Sequence, residues 1–548
     1  MQVLSAAEMQ ACDRATTERF GIPSIQLMRA ASGAVAAFAR AHFKDARHVT
    51  VLCGKGNNGG DGMMAARLLA EAGLHVTTVL LGDPEQLKGD AEVAWSELNA
   101  ARNSRVLVVK NAKELRSHND ARDADLIVDA ILGTGFKPPM NGLPLDALKW
   151  LVKGAREAMP ILAVDLPSGW PADETSATVR GPVFPADALV TFTAPKLAHV
   201  FGQLTRRWDQ PVLVAPIGSS EAAIVSALGL EWAGQSIAMT QTPRAAAANK
   251  GNFGHVLVVG GTFGAAGGKA GAPAMAALAA MRAGAGLVTA AVPEPALAVV
   301  AGFAPELMTW PLTATSAGQI AASNLNAKQV AALLEGKTVL AIGPGLGQGA
   351  EAAKFLLGMM SGTKIPTVID ADGLNILAAN PRLLKKLAKG RTIVLTPHPG
   401  EMARLAGISV AQVQSNRLET AREFAKRTGV TLVLKGARTV IAHPDGRVAV
   451  NTTGNPGMAK GGSGDVLTGL IAGMLAQYPA DAARAVEAAV YLHGLAADLA
   501  VRETSEHSLL ATDCLAKLPQ AFRSRALSFD AGGKNGYVWL QGASRAAD

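Results

Sequence analysis

The sequence has few cysteines, few aromatic residues and no long apolar run. Its three cysteines, Cys12, Cys53 and Cys514, are far apart and lack CxxC spacing, which excludes a disulfide framework and a structural zinc site. No apolar run reaches the roughly 18 residues of a membrane span, and residues 1–19 mix acids, bases and apolar residues, so we expect neither a membrane span nor a signal peptide. These absences favour a soluble, cytosolic protein.

Positive charge is spread along the chain and is not gathered in blocks. The 52 Lys and Arg against 44 Asp and Glu give a formal net charge of +8, and the aromatic residues, 4% of the total, do not interleave with the bases. A nucleic-acid partner is therefore not expected. The same surplus of positive charge suits an anionic small substrate. Separately, we expect the protein to form a homo-oligomer.

The 548 residues are too many for one ordinary core and indicate two to four domains. Short β-rich runs alternate with helical patterns. Strands are predicted at 49–53, 75–81, 126–130, 161–165, 188–193 and 212–215, and then at 255–259, 287–292, 338–342, 367–369, 392–395, 431–435 and 439–442. The alternation predicts two doubly wound α/β domains, 1–220 and 238–525, with a boundary near 218–241 and a loosely ordered tail, 526–548.

One glycine-rich stretch, NPGMAKGGSGD at 455–465, leads directly into an apolar run of helical spacing. Gly461, Gly462 and Gly464 allow a tight turn that presents N–H groups at a helix N-terminus, an arrangement suited to phosphate. Asp465 would repel phosphate, so its predicted role is to take a proton from a hydroxyl that attacks a phosphoryl group. The alternative is a glycine-rich turn in which Asp465 caps the helix.

A second glycine-rich stretch, GKGNNGGDG at 54–62, follows the first strong strand. It contains GxGxxG, which alone would indicate a dinucleotide site with Asp83 as the ribose partner. Asn57, Asn58 and Asp61 add side-chain oxygens that a pyrophosphate cradle does not need. Oxygen ligands indicate a cation.

Polar residues also follow two later strands, with Asp129 in VDAILGTGF and Asp165 and Ser168 in VDLPSGW. Because the carboxyl ends of parallel strands meet at one edge of a sheet, these stretches and Asn58 are expected to converge. For Asn58 and Ser168 singly, turn formation is an equal alternative. The three stretches together predict one site.

These stretches resemble the NAD(P)HX epimerase family over residues 4–216. The resemblance implies that potassium binds Asn58, Asp129 and Ser168 and that Asp165 is the substrate-contacting acid or base. It implies a substrate cradle made of Asn57, Asn58, Gly59, Gly60, Asp61, Gly133, Thr134, Gly135, Phe136 and Asp165. VTFTAPKLAHVF also fits the family and places Lys196 near the site edge, with a solvated lysine after a strand as the alternative.

Four motifs of the second half each follow a predicted strand: GPGLG at 343–347, DADG at 370–373, TPHPGE at 396–401 and KGART at 435–439. His398 lies between two prolines in a rigid loop, and an ordinary turn histidine is the alternative reading. The last motif offers two cations to a nucleotide.

With the stretch 455–465, these motifs resemble the ribokinase-like superfamily, and more narrowly its ADP/ATP-dependent NAD(P)HX dehydratase branch over residues 239–522. The resemblance implies that the hydrated nicotinamide nucleotide faces Ala272, Gly345, His398 and Asp465. It implies that ADP or ATP, with Mg²⁺, is held by Lys435, Gly436, Ala437, Arg438, Thr439 and Gly464.

The expected function is repair of the hydrates NADHX and NADPHX by two activities. The Rossmann-like domain would interconvert the R and S epimers at C6, with Asp165 aiding reversible loss of the hydroxyl through an iminium-like or ring-opened species. The ribokinase-like domain would dehydrate the S epimer at the expense of ADP or ATP. The alternatives are a small-metabolite kinase with an accessory domain and a nucleotide-binding regulatory protein.

Overall fold

The computed structural model describes residues 1–100, 104–154, 159–207, 210–265, 267–524, 527–530 and 535–540. The chain divides into two compact units. The first unit is Met1–Leu230 with Ala526–Asp548, and the second is Glu231–Arg525. The break falls inside the region 218–241 that the sequence indicates. Within the described residues, no helix is both long and apolar enough to cross a membrane.

The first unit is built on one twisted sheet whose central strands pair in parallel. Across the sheet, the described strands are Leu527–Asp530, Asn535–Leu540, Pro211–Ala215, Ala188–Phe192, Ile161–Val164, Leu126–Ala130, His48–Cys53, His75–Leu81 and Ser104–Val109. The chain order therefore reverses between the strands His48–Cys53 and Leu126–Ala130. Such a reversal opens a crevice at the carboxyl ends of the strands, where ligands bind in open α/β sheets.

Apolar cores cover both faces of this sheet. On the strand His48–Cys53, Val51 packs into the core that includes the helices Ser24–His42 and Asn57–Glu71, whereas Leu52 packs into the core on the other side. The described α-helices of the unit are Ala6–Glu18, Ser24–His42, Asn57–Glu71, Asp90–Asn99, Ala112–Ser117, Gly142–Gly154 and Leu197–Phe201. Helices on both faces of a parallel sheet confirm the predicted doubly wound class.

The expectation of a loosely ordered tail at 526–548 is wrong for the part that the structure describes. The strands Leu527–Asp530 and Asn535–Leu540 pair with each other, and the second pairs with Pro211–Ala215, in both cases antiparallel. The run Tyr537 to Trp539 favours strands, but it is too short to show a period, and an edge strand far back in the chain supplies its partner. Residues 531–534 and 541–548 lie outside the described residues.

The second unit also contains a mostly parallel sheet. Across it, the described strands are Met308–Leu312, Leu287–Pro293, His255–Val259, Val339–Ile342, Thr367–Ile369, Ile393–Leu395, Thr431–Leu434, Val440–Ala442, Val448–Val450 and Leu230–Trp232. The pairs from Met308–Leu312 to Thr431–Leu434 are parallel, and the next two are antiparallel. The chain order reverses between His255–Val259 and Val339–Ile342. The unit thus has its own crevice.

Two helices of the second unit pack unusually closely. A Cβ on Gly469 would lie 1.9 Å from the Ala276 carbonyl oxygen, and one on Gly473 would lie 2.5 Å from that of Ala280. The small residues therefore fix the helix Ser463–Gln477 against Gly271–Ala283. The other described α-helices are Leu297–Ala301, Ala327–Leu334, Ala350–Gly362, Asp372–Ala378, Pro381–Leu387, Pro399–Ala406, Val410–Ser415, Arg417–Thr428, Ala482–Val501 and Ala511–Arg523.

Candidate active sites

The first site lies where the strand order of the first unit reverses. Gly54, after the strand His48–Cys53, passes so close to the loop after Leu126–Ala130 that a Cβ on it would lie 2.1 Å from the Ile131 carbonyl oxygen. Only glycine fits there, and the helix Asn57–Glu71 begins three residues later. Its N-terminus therefore points at the crevice, as anion binding requires.

A cavity of about 1250 Å³ opens at this point. It brings together most of the predicted cradle: Asn57, Asn58, Asp61, Gly133, Thr134, Gly135, Phe136 and Asp165. Gly59 and Gly60 instead pack behind the cavity wall. A Cβ on Gly59 would lie 1.9 Å from the Gly54 carbonyl oxygen, and one on Gly60 would lie 2.6 Å from Met28 Cε.

Asp165 is the most heavily bonded side chain of this site. It sits in the left-handed region with φ 64°, which turns its carboxylate towards the loop 133–136. Thr134 donates to Oδ2 from its amide at 2.7 Å and from Oγ1 at 2.5 Å, while Thr191 Oγ1 donates to Oδ1 at 3.0 Å. Lys196 Nζ donates to Oδ1 at 2.9 Å. Both oxygens are therefore satisfied by the protein.

Lys196 is only 2% exposed, so the alternative of a solvated lysine is wrong. Its ammonium bonds Asp165 Oδ1 and Thr191 Oγ1, each at 2.9 Å. Burial alone would raise the pKa of Asp165, but the Lys196 charge and these hydrogen bonds hold that pKa well below its usual range. Asp165 is an ionised carboxylate at all ordinary pH values.

His199 forms hydrogen bonds with the backbone of both Lys196 and Asp165. Its Nδ1 accepts from the Lys196 amide at 2.8 Å, so in the neutral ring Nε2 carries the hydrogen and donates to the Asp165 carbonyl oxygen, also at 2.8 Å. Burial and then the Lys196 charge lower the pKa of His199 to about 4. Sequence reasoning missed this role, for which the only signal is the spacing of Lys196 and His199 in one helical turn.

Asp129, Ser168 and Asn58 supply oxygens beside the cavity. Ser168 donates to Asp129 Oδ2 from its amide at 2.8 Å and to Oδ1 from its hydroxyl at 2.6 Å, and Asp129 is fully buried. Asn58 Oδ1 is buried without any hydrogen-bond partner among the described residues. The unsatisfied amide oxygen of Asn58 fits a hard monovalent cation such as potassium.

Two further carboxyl groups, Asp13 and Asp61, line the same cavity. Asp13 lies on the helix Ala6–Glu18, and its Oδ1 is buried without a partner among the described residues. Burial raises the pKa of Asp13 to about 6 and, with the neighbouring carboxylates, raises that of Asp61 well above its usual value. Nothing in the sequence around Asp13 marks it as a site residue, because only the tertiary fold brings its helix to the crevice.

The second site repeats this arrangement at the strand reversal of the second unit. A Cβ on Gly260, after the strand His255–Val259, would lie 2.1 Å from the Pro344 carbonyl oxygen. Gly345 has φ 64°, and a Cβ there would lie 3.4 Å from Ala272 Cβ and 2.9 Å from Lys269 Cβ. The structure therefore brings the predicted contacts Ala272 and Gly345 together.

Asp465 lies in the first turn of the helix Ser463–Gln477, which follows Gly462 in the left-handed region with φ 96°. Within the described part of the chain, no side chain or amide donates a hydrogen bond to its carboxylate, and Gly462, not Asp465, is the N-cap residue. Burial, and next the negative charge of Asp370, raise the pKa of Asp465 to about 7 against the opposing charge of Lys435. A carboxylate with this pKa suits a general base at neutral pH.

Lys435 stands beneath the glycine loop. Its ammonium donates to Asp370 Oδ1 at 2.9 Å, and Thr468 Oγ1 donates to Asp370 Oδ2 at 2.8 Å. A Cβ on Gly464 would lie 3.3 Å from Lys435 Nζ. Burial opposes the charge of this lysine, yet Asp370 and Glu401 raise its pKa above the usual value, so a fixed cation lies under the loop. The sequence showed Asp370 only as part of a motif without a role.

His398 is the N-cap of the helix Pro399–Ala406, with Nδ1 accepting from the Gly400 amide at 3.0 Å. Its side chain is 52% exposed and lies 3.5 Å from Glu401 Oε1, and Glu401 Oε2 is 3.9 Å from Lys435 Nζ. This capping bond and the flanking prolines both hold the loop at His398 in place. The ring is half exposed, with Nε2 facing Glu401 Oε1, and a substrate contact by His398 remains a prediction.

The motif at 435–439 is held partly by its own bonds. Arg438, with φ 55°, donates to the Thr452 carbonyl oxygen at 2.8 Å, and Thr439 Oγ1 donates to the Gly436 carbonyl oxygen at 3.0 Å. Arg417, which the sequence did not indicate, donates to the Ala437 carbonyl oxygen at 2.9 Å. Ala437 itself is exposed. Of the two predicted cations, Lys435 is the one placed at the glycine loop.

Residues 256–520 match the NAD(P)H-hydrate dehydratase family, and residues 24–198 match the family described as YjeF-related protein N-terminus. A bifunctional NAD(P)H-hydrate repair enzyme of Moorella thermoacetica is 40% identical over 96% of this chain and 97% of its own length. One from Escherichia coli is 37% identical over 94% and 92%. The crystal structure of an ADP/ATP-dependent NAD(P)H-hydrate dehydratase from Bacillus subtilis, co-crystallised with ATP/Mg²⁺, is 34% identical, covering 53% of this chain and 96% of that one with a TM-score of 0.44.

Proposed function

The chain belongs to the bifunctional NAD(P)H-hydrate repair enzymes, and from that premise we propose how its two sites divide the work. The first unit interconverts the R and S hydrates, and the second dehydrates the S hydrate to NADH or NADPH. The proposal rests on a geometry that occurs in both units. In each unit the strand order reverses, a glycine after a strand lies against a backbone carbonyl oxygen, and a carboxylate is buried beside the crevice.

In the first unit, loss of the C6 hydroxyl leaves positive charge shared between C6 and the ring nitrogen. Asp165 is held ionised and cannot lose its charge at neutral pH, so it stabilises that cation. Potassium would be held by Asn58, Asp129 and Ser168, where it supplies a fixed positive charge that offsets the Asp129 carboxylate. Thr134 and Lys196 keep Asp165 in place throughout.

In the second unit, Asp465 takes the proton of the S hydroxyl as its oxygen attacks the terminal phosphoryl group of ADP or ATP. The amides around Gly464 and the ammonium of Lys435 receive the phosphate charge. The ring nitrogen then expels the phosphate, and loss of a proton from C5 restores the double bond. Magnesium would arrive with the nucleotide, because Mg²⁺ is usually held by substrate phosphates, water and only one or two protein carboxylates.

Adenine-nucleotide use is supported by the geometry of the glycine loop and by Lys435, which is only partly exposed. A cytosolic location is supported by Cys12, Cys53 and Cys514, all of them free and buried. The kinase and regulatory alternatives do not account for a relative that matches almost the whole chain at 40% identity and is named for both activities.

Absorbance at 340 nm tests the proposal. Pure S hydrate with ADP should recover that absorbance in one phase, and the R hydrate should recover it only as fast as epimerisation supplies the S form. A stable phosphorylated product with no gain at 340 nm would establish a metabolite kinase instead. Absence of turnover with both ADP and ATP would favour the alternative of a nucleotide-binding regulatory protein.

A further inference from the structure

The first site holds more carboxyl groups than the steps above use. Asp165 accepts four bonds from Thr134, Thr191 and Lys196. A carboxylate so bonded does not hold a proton that it could give away. Loss of the C6 hydroxyl nevertheless requires a proton, because hydroxide is a poor leaving group. Another group must supply it.

Asp61 is the carboxyl group best placed to hold that proton. It is 9% exposed, lines the cavity, and receives no hydrogen bond from any residue that the structure describes. Burying an ionised carboxylate without a partner costs far more free energy than burying the neutral acid. Its O–H is therefore available to a ligand in the cavity.

The charged groups facing Asp61 come from three directions. Asp165 follows a strand, Asp13 lies on the helix Ala6–Glu18 and Asp90 begins the helix Asp90–Asn99. All three oppose a negative charge on Asp61. Lys196 favours that charge, but its ammonium is already bonded to Asp165. Together with burial, the three carboxylates keep the pKa of Asp61 high.

Asp13 differs from Asp61 in the proton it holds. Its Oδ1 is buried and unpartnered among the described residues, and it faces the positive charge of Lys196 as well as the negative charge of Asp165. Burial brings its pKa to about 6, so it is mostly ionised at neutral pH. Two carboxyl groups on different helices of one cavity thus face different charges, and burial with the neighbouring carboxylates raises the pKa of Asp61 well above its usual value.

We propose that Asp61 and Asp13 are the acid and base of the epimerase site, a role that rests on the function proposed for the first unit. Asp61 gives its proton to the C6 hydroxyl oxygen, the C6–O bond breaks and its electron pair leaves with water. The lone pair of the ring nitrogen forms the N1–C6 double bond. Water then adds to the other face of C6, and Asp13 takes the proton that this water loses.

The step balances without any oxidant or cofactor: one water leaves, one water adds, and one proton passes from Asp61 to Asp13. The enzyme is then poised for the reverse reaction, in which the two groups exchange roles. Exchange of protons with solvent restores the resting state. Epimerisation needs a proton donor and a proton acceptor at one ring, and Asp61 and Asp13 line one cavity from two different helices.

The test uses the full chain, the separated hydrates and no adenine nucleotide, with chromatography to follow R-to-S conversion above the spontaneous rate. Asp61→Asn and Asp13→Asn should each lower kcat roughly 100-fold or more with little change in KM. Asp61→Glu should recover part of the rate. Retention of the thermal unfolding transition of the first unit by each variant shows that this unit is intact.

The pH profile distinguishes proton transfer from a structural role. The rate should fall below about pH 6 as Asp13 is protonated, and fall at high pH as Asp61 loses its proton. Asp90→Asn is the matched control: it should keep the maximal rate and move the alkaline limb to lower pH, since it removes one charge facing Asp61.

The possible failures are separable. If the unmodified protein does not interconvert the hydrates, the function proposed for the first unit is wrong. If it does, but Asp61→Asn keeps its rate or raises only KM, Asp61 is not the acid. If Asp13→Asn keeps both its rate and the acid limb, the pairing is wrong.

Discussion

The ammonium nitrogen of Lys196 lies 2.9 Å from Asp165 Oδ1, and the two side chains are 2% and 10% exposed. An ion pair so deeply buried is costly to break, because the remaining charge keeps no partner and little water. The pair also sets the charge of the first site. Its stability and its chemistry can therefore be tested by one substitution.

Lys196→Met should destabilise the first unit by about 3–5 kcal/mol at pH 8. In the unmodified protein the folded pKa of Asp165 lies below the unfolded value, so the stability it contributes is present above the unfolded pKa and is lost only as pH falls through the folded pKa. Without Lys196, burial raises that pKa above the unfolded value, and stability should fall as pH rises from 5 to 8. Thermal unfolding at pH 5, 6.5 and 8 measures the slope.

Lys55→Met is the matched control, because Lys55 lines the same cavity but is exposed and, among the described residues, donates only to Gln86 Oε1. It should change the unfolding free energy by less than about 0.5 kcal/mol at each pH. Equal effects of the two substitutions would show that the buried pair contributes nothing specific.

Asp465→Asn should slow dehydration by roughly 10²- to 10⁴-fold, since it removes the general base. In the unmodified enzyme the rate should rise with pH through about 7, because the base works only when it is deprotonated. The variant should lose that rise. ADP binding, followed by calorimetry, should be kept or tightened, and epimerisation should be unaffected. Loss of ADP binding before loss of turnover would show that the role is binding.

Gly464→Val should weaken nucleotide binding itself. A Cβ at this position would lie 3.3 Å from Lys435 Nζ and 3.4 Å from Asp370 Oδ2, so a branched side chain enters the space over the lysine. Gly461→Val is the control in the same loop, where a Cβ meets nothing within 4 Å. We expect at least a tenfold rise in the Kd for ADP from the first change and little from the second. Equal effects would mean that only loop flexibility matters.

Asp129→Ala should weaken potassium binding more than Ser168→Ala, because only Asp129 brings a formal charge. The readouts are the potassium concentration that half-activates epimerisation and the stabilisation that KCl gives over NaCl at equal ionic strength. The stabilisation needs no turnover, so it separates ion binding from catalysis. If neither variant changes the potassium response, the site lies elsewhere.

Removal of residues 526–548 should lower the stability of the first unit only. The strand Pro211–Ala215 would lose its antiparallel partner and become an open edge. We expect earlier thermal loss of epimerisation, more aggregation, and unchanged dehydration per folded molecule. Loss of both activities together would contradict the assignment of this segment to the first unit.

The sequence predicts most strands and both glycine loops because each is a local pattern. Continuous apolar runs mark buried parallel strands, and the polar residues after them fall at one sheet edge by topology. It misses Ser104–Val109, a half-buried edge strand, and Met308–Leu312, where Pro311 breaks the expected pattern.

The rest of the site depends on long-range contacts. Lys196 resembles a solvated lysine after a strand, and only the left-handed turn at Asp165 and the short helix Leu197–Phe201 bury it. In the sequence, Asp13 belongs to an ordinary amphipathic helix. Only the tertiary fold places that helix at the crevice. Such juxtapositions carry no sequence spacing of their own.

The sheet of the first unit cannot be completed until the end of protein synthesis. Its strand Pro211–Ala215 pairs with Asn535–Leu540, which is synthesised more than 300 residues later. The ribosome must therefore translate the whole dehydratase before the epimerase sheet is complete. At about 5–20 residues per second, that interval is roughly 15–60 s, during which the edge is open to chaperones or to wrong partners. A nonsense codon anywhere in the second unit would therefore also damage the first, and the two activities rise and fall together on one message.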